Sequence, residues 1–181
     1  MKKLPVWARY VIAIVGAIVF AKTIQDTVIV RMKNRQDGMY PSLPKEQAYW
    51  VYRRAYSKPG DVARGDVVMM DSPTEGADYR YTWRVVGLPG DTVDVTASTL
   101  SINGRPLPRQ LVDHLDGVTI YRETNGDVSY EIATEDCPKD VPVHVTVPPD
   151  QFYMLGDSRC GTEDSRKIGP IPFNLIRGRK L

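Results

Sequence analysis

Cysteine and histidine are scarce in this chain of 181 residues, which has two of each. The four residues are widely separated and form no Cys-x-x-Cys pair, so they lack the ligand spacing of a zinc site. We therefore predict no metal, and no pattern for another cofactor is present. The spacing leaves open whether Cys137 and Cys160 form a disulfide, as they could outside the cytoplasm, or remain free thiols.

An excess of charge of either sign is also absent. The 24 Lys and Arg residues are offset by 22 Asp and Glu residues, for a formal net charge of +2. This balance argues against a nucleic-acid partner, which would favour a strongly basic chain. The 42% apolar content, with 14 prolines and 14 glycines, is instead typical of a folded, turn-rich chain.

Only one long apolar run is present, from Leu4 to Ala21, and its single charge is Arg9. Eighteen helical residues at about 1.5 Å each would span roughly 27 Å, close to the roughly 30 Å hydrocarbon core of a bilayer. We predict that residues 1–26 form a cytoplasmic stub and one transmembrane helix. A signal peptide cleaved after Ala21 and a buried core helix are the alternatives.

Loop charges do not decide the orientation of this helix. The basic residues on its two sides are similar in number, so the positive-inside rule gives nearly a tie: Lys2, Lys3 and Arg9 precede its centre, and Lys22, Arg31, Lys33 and Arg35 follow it.

The remainder of the chain shows no second apolar run and no clear helical pattern. Short β-rich segments alternate with turn residues, and Asn103-Gly104 is a strong signal for a two-residue hairpin. This pattern predicts a mainly β, antiparallel sheet or barrel-like domain. We predict a β core from residues 27–109 and 147–181, interrupted by an inserted β subdomain at residues 110–146.

Four segments in order carry a family resemblance. They are Gly38–Leu43 (Gly-Met-Tyr-Pro-Ser-Leu), Arg64–Val68 (Arg-Gly-Asp-Val-Val), Arg84–Asp91 (Arg-Val-Val-Gly-Leu-Pro-Gly-Asp), and Gly156–Arg159 followed by Asp164–Arg166. Together, behind a membrane helix, they resemble the signal peptidase I family of serine peptidases. The resemblance implies a membrane-anchored β domain that handles the leaders of exported proteins.

The family cleaves peptide bonds with a serine activated by a lysine, and both residues are missing here. The nucleophile position is Gly38, which has no side chain, and the base position is Trp83, whose indole nitrogen only donates hydrogen bonds. Two remnants would remain: Gln36, whose amide could still serve an oxyanion hole, and Thr162, at the position of a supporting serine. The resemblance thus implies a catalytically inactive homologue.

Other motif residues are expected to maintain the groove and a charged, hydrogen-bonded network, which we interpret as a structural ion-pair cluster. They are Met39, Pro41, Arg84, Asp157, Arg159, Asp164, Ser165 and Arg166. Cys160 stands where the family usually has an aspartate, which loosens the catalytic pattern further.

A relocated catalytic pair is the alternative to inactivity. Ser42 is the candidate nucleophile, with Lys33, Lys45 or Lys167 as its base, but such a pair needs placement within about an ångström of productive geometry. A third explanation is that Gly38 was engineered to trap a substrate complex. Such a trap would not need a second change at Trp83, which argues against it.

Strand alternation places Tyr79, Tyr81, Trp83 and Val85 on one face. The aromatic residues form either an ordinary cross-strand ladder or, at Trp83, a side chain that fills the groove in which the family's lysine and substrate would lie. A second set of mostly aromatic residues is expected either to pack in the core or to form an apolar surface that rests on the membrane. These residues are Met39, Tyr40, Leu43, Tyr49, Trp50 and Tyr52.

The sequence therefore predicts a binding or assembly subunit of a membrane or cell-envelope complex. Its expected partners are membrane lipid and an extended polypeptide or other membrane-complex subunits, with no nucleic acid. Its expected location is the plasma (inner) membrane, with a cytoplasmic N-terminus and an extracytoplasmic β domain. The alternative is an active leader peptidase, including the branch that processes pilins during conjugation.

Overall fold

The structure, a computed structural model, describes residues 5–74, 76–96, 99–135, 142–160 and 162–181, with the backbone alone for residues 24–27. It begins with a 23-residue helix, α1 (Val6–Val28), which runs directly into strand β1 (Ile29–Lys33). Within α1, Val6–Thr23 is long and apolar enough to cross a membrane, with a mean hydropathy of 1.6. Its apolar side chains are exposed, so α1 is not a core helix of the β domain.

Seven antiparallel strands form the main sheet, in the order β1-β2-β14-β3-β4-β12-β13. Their bounds are β1 (Ile29–Lys33), β2 (Ala48–Tyr52), β3 (Val67–Asp71), β4 (Arg80–Gly87), β12 (Gln151–Leu155), β13 (Ile171–Pro172) and β14 (Ile176–Lys180).

Two smaller antiparallel sheets complete the domain. The order β11-β5-β6-β7 joins β5 (Thr92–Val95), β6 (Leu100–Ile102), β7 (Arg105–Pro106) and β11 (Val143–Thr146). The order β10-β9-β8 joins β8 (Arg109–Leu115), β9 (Val118–Asn125) and β10 (Val128–Thr134). The mainly β, antiparallel prediction is confirmed. The inserted subdomain stays a prediction, and the described strands within residues 110–146 belong to both small sheets.

Two apolar clusters form the core. The larger packs one face of the main sheet against the segment after β1 and includes Leu43, Val68, Trp83 and Phe152. The smaller lies between the four-stranded sheet and the turn region of β4 and β12, and includes Val93 and Tyr153. Burial of these side chains is the main driving force for the fold.

The predicted Asn103-Gly104 hairpin is present between β6 and β7. Both residues have positive φ, 54° and 73°, as a tight hairpin turn with the right strand twist requires.

Some elements were not predicted. Strand β8 has adjacent apolar residues, Leu111 and Val112, and a register shift lies between Leu111 and Asp113, so strict alternation is lost. Strand β14 carries three basic residues among five. The expectation of no further helix is wrong for α2 (Ser165–Ile168), a single turn at whose start the Asp164 side chain accepts from the Arg166 N–H.

Candidate functional site

The segment that carries Gly38 is held in place at both ends. The buried side chain of Asn34 donates to the carbonyl oxygens of Gln36 and Leu43, each at 2.7 Å. Met39 and Leu43 point into the core and are almost fully buried. Pro41, which follows a cis peptide bond, is half-buried beside them. The predicted nucleophile position therefore lies on an ordered loop.

Gly38 contacts the segment that follows β12. Its carbonyl oxygen accepts a hydrogen bond from the Ser158 N–H at 3.1 Å and lies 3.3 Å from Thr162 Oγ1. The Thr162 hydroxyl donates to the Ser158 carbonyl at 2.6 Å. A Cβ atom added at Gly38 would lie 3.3 Å from Thr162 Oγ1. The structure thus brings Gly38 and the predicted remnant Thr162 together.

Trp83 ends an aromatic stack on β4. Its ring is stacked on that of Tyr81, with centroids 4.4 Å apart, and Tyr79 meets Tyr81 edge to face at 5.2 Å. Only 2% of Trp83 is exposed. Burial, together with the hydrogen bond donated to the Tyr79 hydroxyl, raises the pKa of Tyr81, so its hydroxyl stays protonated at neutral pH. The alternation predicted for this strand is confirmed.

A groove passes over Gly38 and Trp83. Two cavities of about 740 and 610 Å³ share Gln36, Gly38, Tyr79 and Trp83 in their walls, so they are adjoining parts of one depression. Gln36 is exposed on its rim. The predicted nucleophile position, the predicted base position and both predicted remnants line this groove.

Ser42 is held by groups other than an amine. Its Oγ accepts from Arg84 Nη2 at 3.2 Å and donates to the Glu131 carbonyl at 3.3 Å. Among the described residues, no lysine Nζ lies in a hydrogen bond with a serine oxygen. Lys33 pairs with Glu46, Lys45 lies 4.0 Å from Asp37, and Lys167 is exposed. The structure does not bring the residues of the alternative catalytic pair together.

Arg84 and Asp157 form a buried ion pair. Two parallel hydrogen bonds join them, at 2.7 and 2.6 Å, and neither side chain is more than 9% exposed. Arg84 also donates to the Gly65 carbonyl at 2.7 Å, and its guanidinium lies 4.3 Å from the ring centre of Tyr130. This satisfies most of the donors of a buried cation, as a buried ion pair requires.

Asp164 and Arg166 form a second pair at the start of α2. Asp164 accepts from the backbone and side chain of Arg166, at 2.8 to 3.1 Å, and from the Gly156 N–H at 3.0 Å. Arg166 reaches the Arg159 carbonyl, and Ser165 Oγ accepts from the Met154 N–H at 3.0 Å. These hydrogen bonds hold the segment at 156–166 against the end of β12.

Arg159 binds a partner that sequence reasoning missed. Its guanidinium donates to both carboxylate oxygens of Glu123 on β9, at 2.6 and 3.1 Å. Glu123 is completely buried and also accepts from Arg109 at 2.9 Å and Tyr130 at 3.2 Å. A lone glutamate in a polar segment carries no sequence signal of such a role. The three-stranded sheet is thus clamped onto the segment that contacts Gly38.

Backbone hydrogen bonds reinforce this clamp. The Ala133 N–H donates to the Asp157 carbonyl at 2.9 Å, and the Arg159 N–H donates to the Ala133 carbonyl at 2.8 Å. The Glu135 N–H donates to Cys160 Sγ at 3.0 Å. Cys160 is disulfide-bonded, and Cys137, the only other cysteine of the chain, lies outside the described residues.

Replacing Glu123 with glutamine is expected to weaken the acid sensitivity of the fold. Burial works to raise the pKa of Glu123, but the charges of Arg159 and Arg109 outweigh it and hold that pKa below 4.5. The ionised carboxylate therefore stabilises the fold above about pH 4.5, and this contribution is lost as the pH falls through the lowered pKa. Urea unfolding between neutral pH and pH 3 measures the slope.

The neutral substitution Ser129→Ala, on the neighbouring strand, is the control and should retain the slope of the original protein. If E123Q loses stability on acidification as steeply as the original protein does, the carboxylate of Glu123 does not contribute to the acid sensitivity.

Replacing Gly156 with alanine is expected to destabilise the site segment by about 1–3 kcal/mol, the usual cost of overpacking. An added Cβ would lie 2.4 Å from Thr162 Oγ1 and 2.5 Å from the Gly38 carbonyl oxygen. The backbone oxygen cannot move aside without shifting the Gly38 loop. The control is Gly60→Ala, where no atom lies within 4 Å of the new Cβ. Equal midpoints of urea unfolding for the two variants would contradict this close approach.

The six residues predicted to form either core packing or a membrane-resting surface differ in their burial. Met39, Leu43 and Tyr49 are buried in the core, whereas Trp50 is 42% exposed. Tyr40 and Tyr52 are half-buried. A shared membrane-resting surface is therefore wrong for the three buried residues.

Comparisons with known proteins support the family resemblance. A family model described as "Signal peptidase, peptidase S26" matches residues 7–181. Signal peptidase I S of Bacillus subtilis (strain 168) is 28% identical over 95% of this chain and 84% of its own length. Signal peptidase I of Pseudomonas aeruginosa is 37% identical, over 65% of this chain and 44% of its own.

A crystal structure of a signal peptidase I from Enterococcus faecalis V583 is 25% identical, covers 65% of this chain and 95% of its own, and superposes with a TM-score of 0.43. The family match extends over nearly the whole chain, from α1 to the last strand. This chain belongs to the signal peptidase, peptidase S26, family.

Proposed function

We propose that this chain is a membrane-anchored signal peptidase I homologue that binds an extended polypeptide without cleaving it. The observation that carries the proposal is the pairing of Gly38 and Trp83 in the walls of one groove. The first has no side chain, and the second has a nitrogen that can only donate. The groove has the positions for a serine and a lysine, and neither group is there.

Peptide hydrolysis by this family's chemistry needs both groups. A serine hydroxyl attacks only when a base removes its proton, and a lysine is a base only when burial lowers its pKa. Loss of the nucleophile alone costs on the order of 10⁶ in rate in well-studied serine proteases. Arg84, the nearest buried cation on β4, cannot replace the lysine because a guanidinium stays protonated.

Binding of an extended segment is supported by a free strand edge. One edge of β4 pairs with β3 along Arg80–Arg84, but β12 meets the other edge only at Arg84, Val85 and Gly87. Among the described residues, Tyr81–Trp83 therefore have no strand on the groove side. A peptide that added a strand there would gain main-chain hydrogen bonds and would lie along the aromatic stack.

The location follows from the same proposal. The apolar helix α1 would anchor the chain in the plasma (inner) membrane, with a cytoplasmic N-terminus and the β domain outside the cytoplasm. The disulfide at Cys160 supports this side, because disulfides persist in oxidising compartments. We propose a role as a binding or assembly subunit of a membrane or cell-envelope complex.

An active leader peptidase is the second candidate, because the relatives named above are peptidases by name. This function would include the branch that processes pilins and would require a new nucleophile. Ser42 is the best placed, but its hydroxyl is bonded to Arg84 and Glu131 rather than to an amine.

One experiment distinguishes binding without cleavage from peptidase activity. The detergent-purified full chain is incubated with a preprotein and, separately, with a serine-reactive probe. The proposal expects co-purification of the intact preprotein, with no cleavage and no labelling. Cleavage or labelling that disappears in Ser42→Ala would establish the peptidase instead. Absence of preprotein binding in the intact, folded chain would contradict the binding role.

A further inference from the structure

Charge is distributed unevenly along the groove. The wall of the larger cavity contains four cations and two anions: Arg31, Lys33, Arg35, Arg80, Asp71 and Asp78. Among the described residues, the wall of the smaller cavity contains Asp37 and Glu163 and no basic residue. Gly38 and Trp83 lie between the two.

Charges just outside the larger cavity do not remove its basic character. Glu46 pairs with Lys33, which neutralises one cation. Asp71 accepts from Arg80 at 3.0 Å and from Arg177 at 2.6 Å, so this one carboxylate faces two cations. With these neighbours counted, the cations still exceed the anions. Arg31 and Arg35 are both exposed and available to a ligand.

Neighbouring cations do not remove the acidic character of the smaller cavity. Lys45 lies 4.0 Å from Asp37, and both side chains are more than half exposed, so solvent screens this pair. Glu163 has no cation paired with it among the described residues, and its Oε2 lies 3.5 Å from the Tyr81 hydroxyl, which donates to Tyr79 at the shorter distance of 3.2 Å. Its exposed carboxylate faces the groove.

We infer that the ligand is an extended peptide with an acidic block and a basic block on opposite sides of a short apolar stretch. The inference rests on the proposed function and adds the chemical class of the ligand. The acidic block would lie along the basic wall, the apolar stretch over Tyr81 and Trp83, and the basic block beside Glu163. Complementary charges at both ends orient the peptide and discourage partners of uniform charge.

Strand addition makes the order of the blocks matter. A strand pairs in a defined direction, so only one order, acidic to basic or basic to acidic, can match both main-chain bonds and charges. Exposed pairs are individually weak, but several together give on the order of a tenfold preference at low salt. The preference should shrink as salt is added.

The experiment uses the detergent-purified full chain and fluorescent synthetic peptides. Two peptides carry the blocks in opposite orders around the same apolar spacer, and two more carry uniformly acidic or uniformly basic blocks. We expect one order to bind on the order of tenfold more tightly than the other three peptides. Equal affinity for both orders, or tightest binding by a uniformly charged peptide, would overturn the inference.

A charge exchange supplies the decisive variant. The double variant Arg35→Glu/Glu163→Lys reverses one exposed charge at each end of the groove, which leaves as many cations as anions in each wall, so the preference for one order should disappear. Arg54→Glu, at an exposed arginine outside the groove, is the matched control and should leave the preference unchanged. A preference that the double variant retains would overturn the inference. If the double variant does not fold, Arg31→Glu/Asp37→Lys tests the same two ends.

Failure of the inference and failure of the proposed function remain distinguishable. Binding without discrimination of charge order removes the inference alone. Absence of binding by every peptide, with the intact preprotein still bound, also removes the inference alone, whereas absence of binding by the peptides and the preprotein removes the proposed function as well.

Discussion

The double variant Gly38→Ser/Trp83→Lys is expected to cleave a preprotein, whereas each single variant stays at the background of the original protein. The two substituted positions line the same groove, and a Cβ at position 38 would contact Thr162, the expected supporting hydroxyl. Trp83 is only 2% exposed, so a lysine there would be desolvated. Desolvation lowers the pKa of an ammonium and produces the neutral amine that activates serine.

The expected gain is on the order of 10³-fold or more in the rate of cleavage, because a nucleophile and its base act as one unit worth about 10⁶. Neither half works without the other, so the effect of the double substitution should greatly exceed the sum of the single effects. The measurement is the rate of preprotein processing by purified protein in detergent.

The matched control is Gly38→Ala/Trp83→Lys, which carries the same lysine and lacks only the hydroxyl. Loss of the Trp83 ring from its stack costs about 3–5 kcal/mol in typical cores, so both double variants must first be shown to be folded. A folded Gly38→Ser/Trp83→Lys variant no faster than this control would show that the groove does not hold the two positions in catalytic geometry.

Replacing Arg84 with methionine is expected to lower the free energy of unfolding by about 3–5 kcal/mol, the range for breaking a buried ion pair. Methionine retains the length of the side chain but leaves Asp157 without its cation. Asp157 is fully buried and would lose both hydrogen bonds from the Arg84 guanidinium, at 2.7 and 2.6 Å. Chemical denaturation at neutral pH gives the change.

An exposed ion pair provides the comparison. Arg122 and Glu131 lie 3.0 Å apart with side chains 53% and 38% exposed, and Arg122→Met should cost no more than about 1 kcal/mol. The double variant Arg84→Met/Asp157→Leu should recover part of the loss, since it leaves no unpaired buried charge. Similar losses for Arg84→Met and Arg122→Met would contradict the dominance of the buried pair.

The family and the β class could be predicted because each depends on short motifs and turns whose residues are close in sequence. A hairpin turn is specified by Asn103-Gly104, and strand alternation on β4 by a few consecutive side chains. The assignment of Gly38 and Trp83 to the nucleophile and base positions stays a prediction, made from the neighbouring motif residues alone. The predicted apolar helix likewise depends on one continuous segment.

The partner of Arg159 and the charge polarity of the groove could be known only from the folded chain. Glu123 lies 36 residues before Arg159, on a strand whose sequence does not indicate which side chain faces the core. The close approach of Gly156 to Gly38 depends equally on how distant segments pack. Side-chain chemistry and local turns are determined by single residues and their sequence neighbours. Which charges meet is decided by the docking of sheets, because burial penalises any unpaired ion and favours the one arrangement that pairs them.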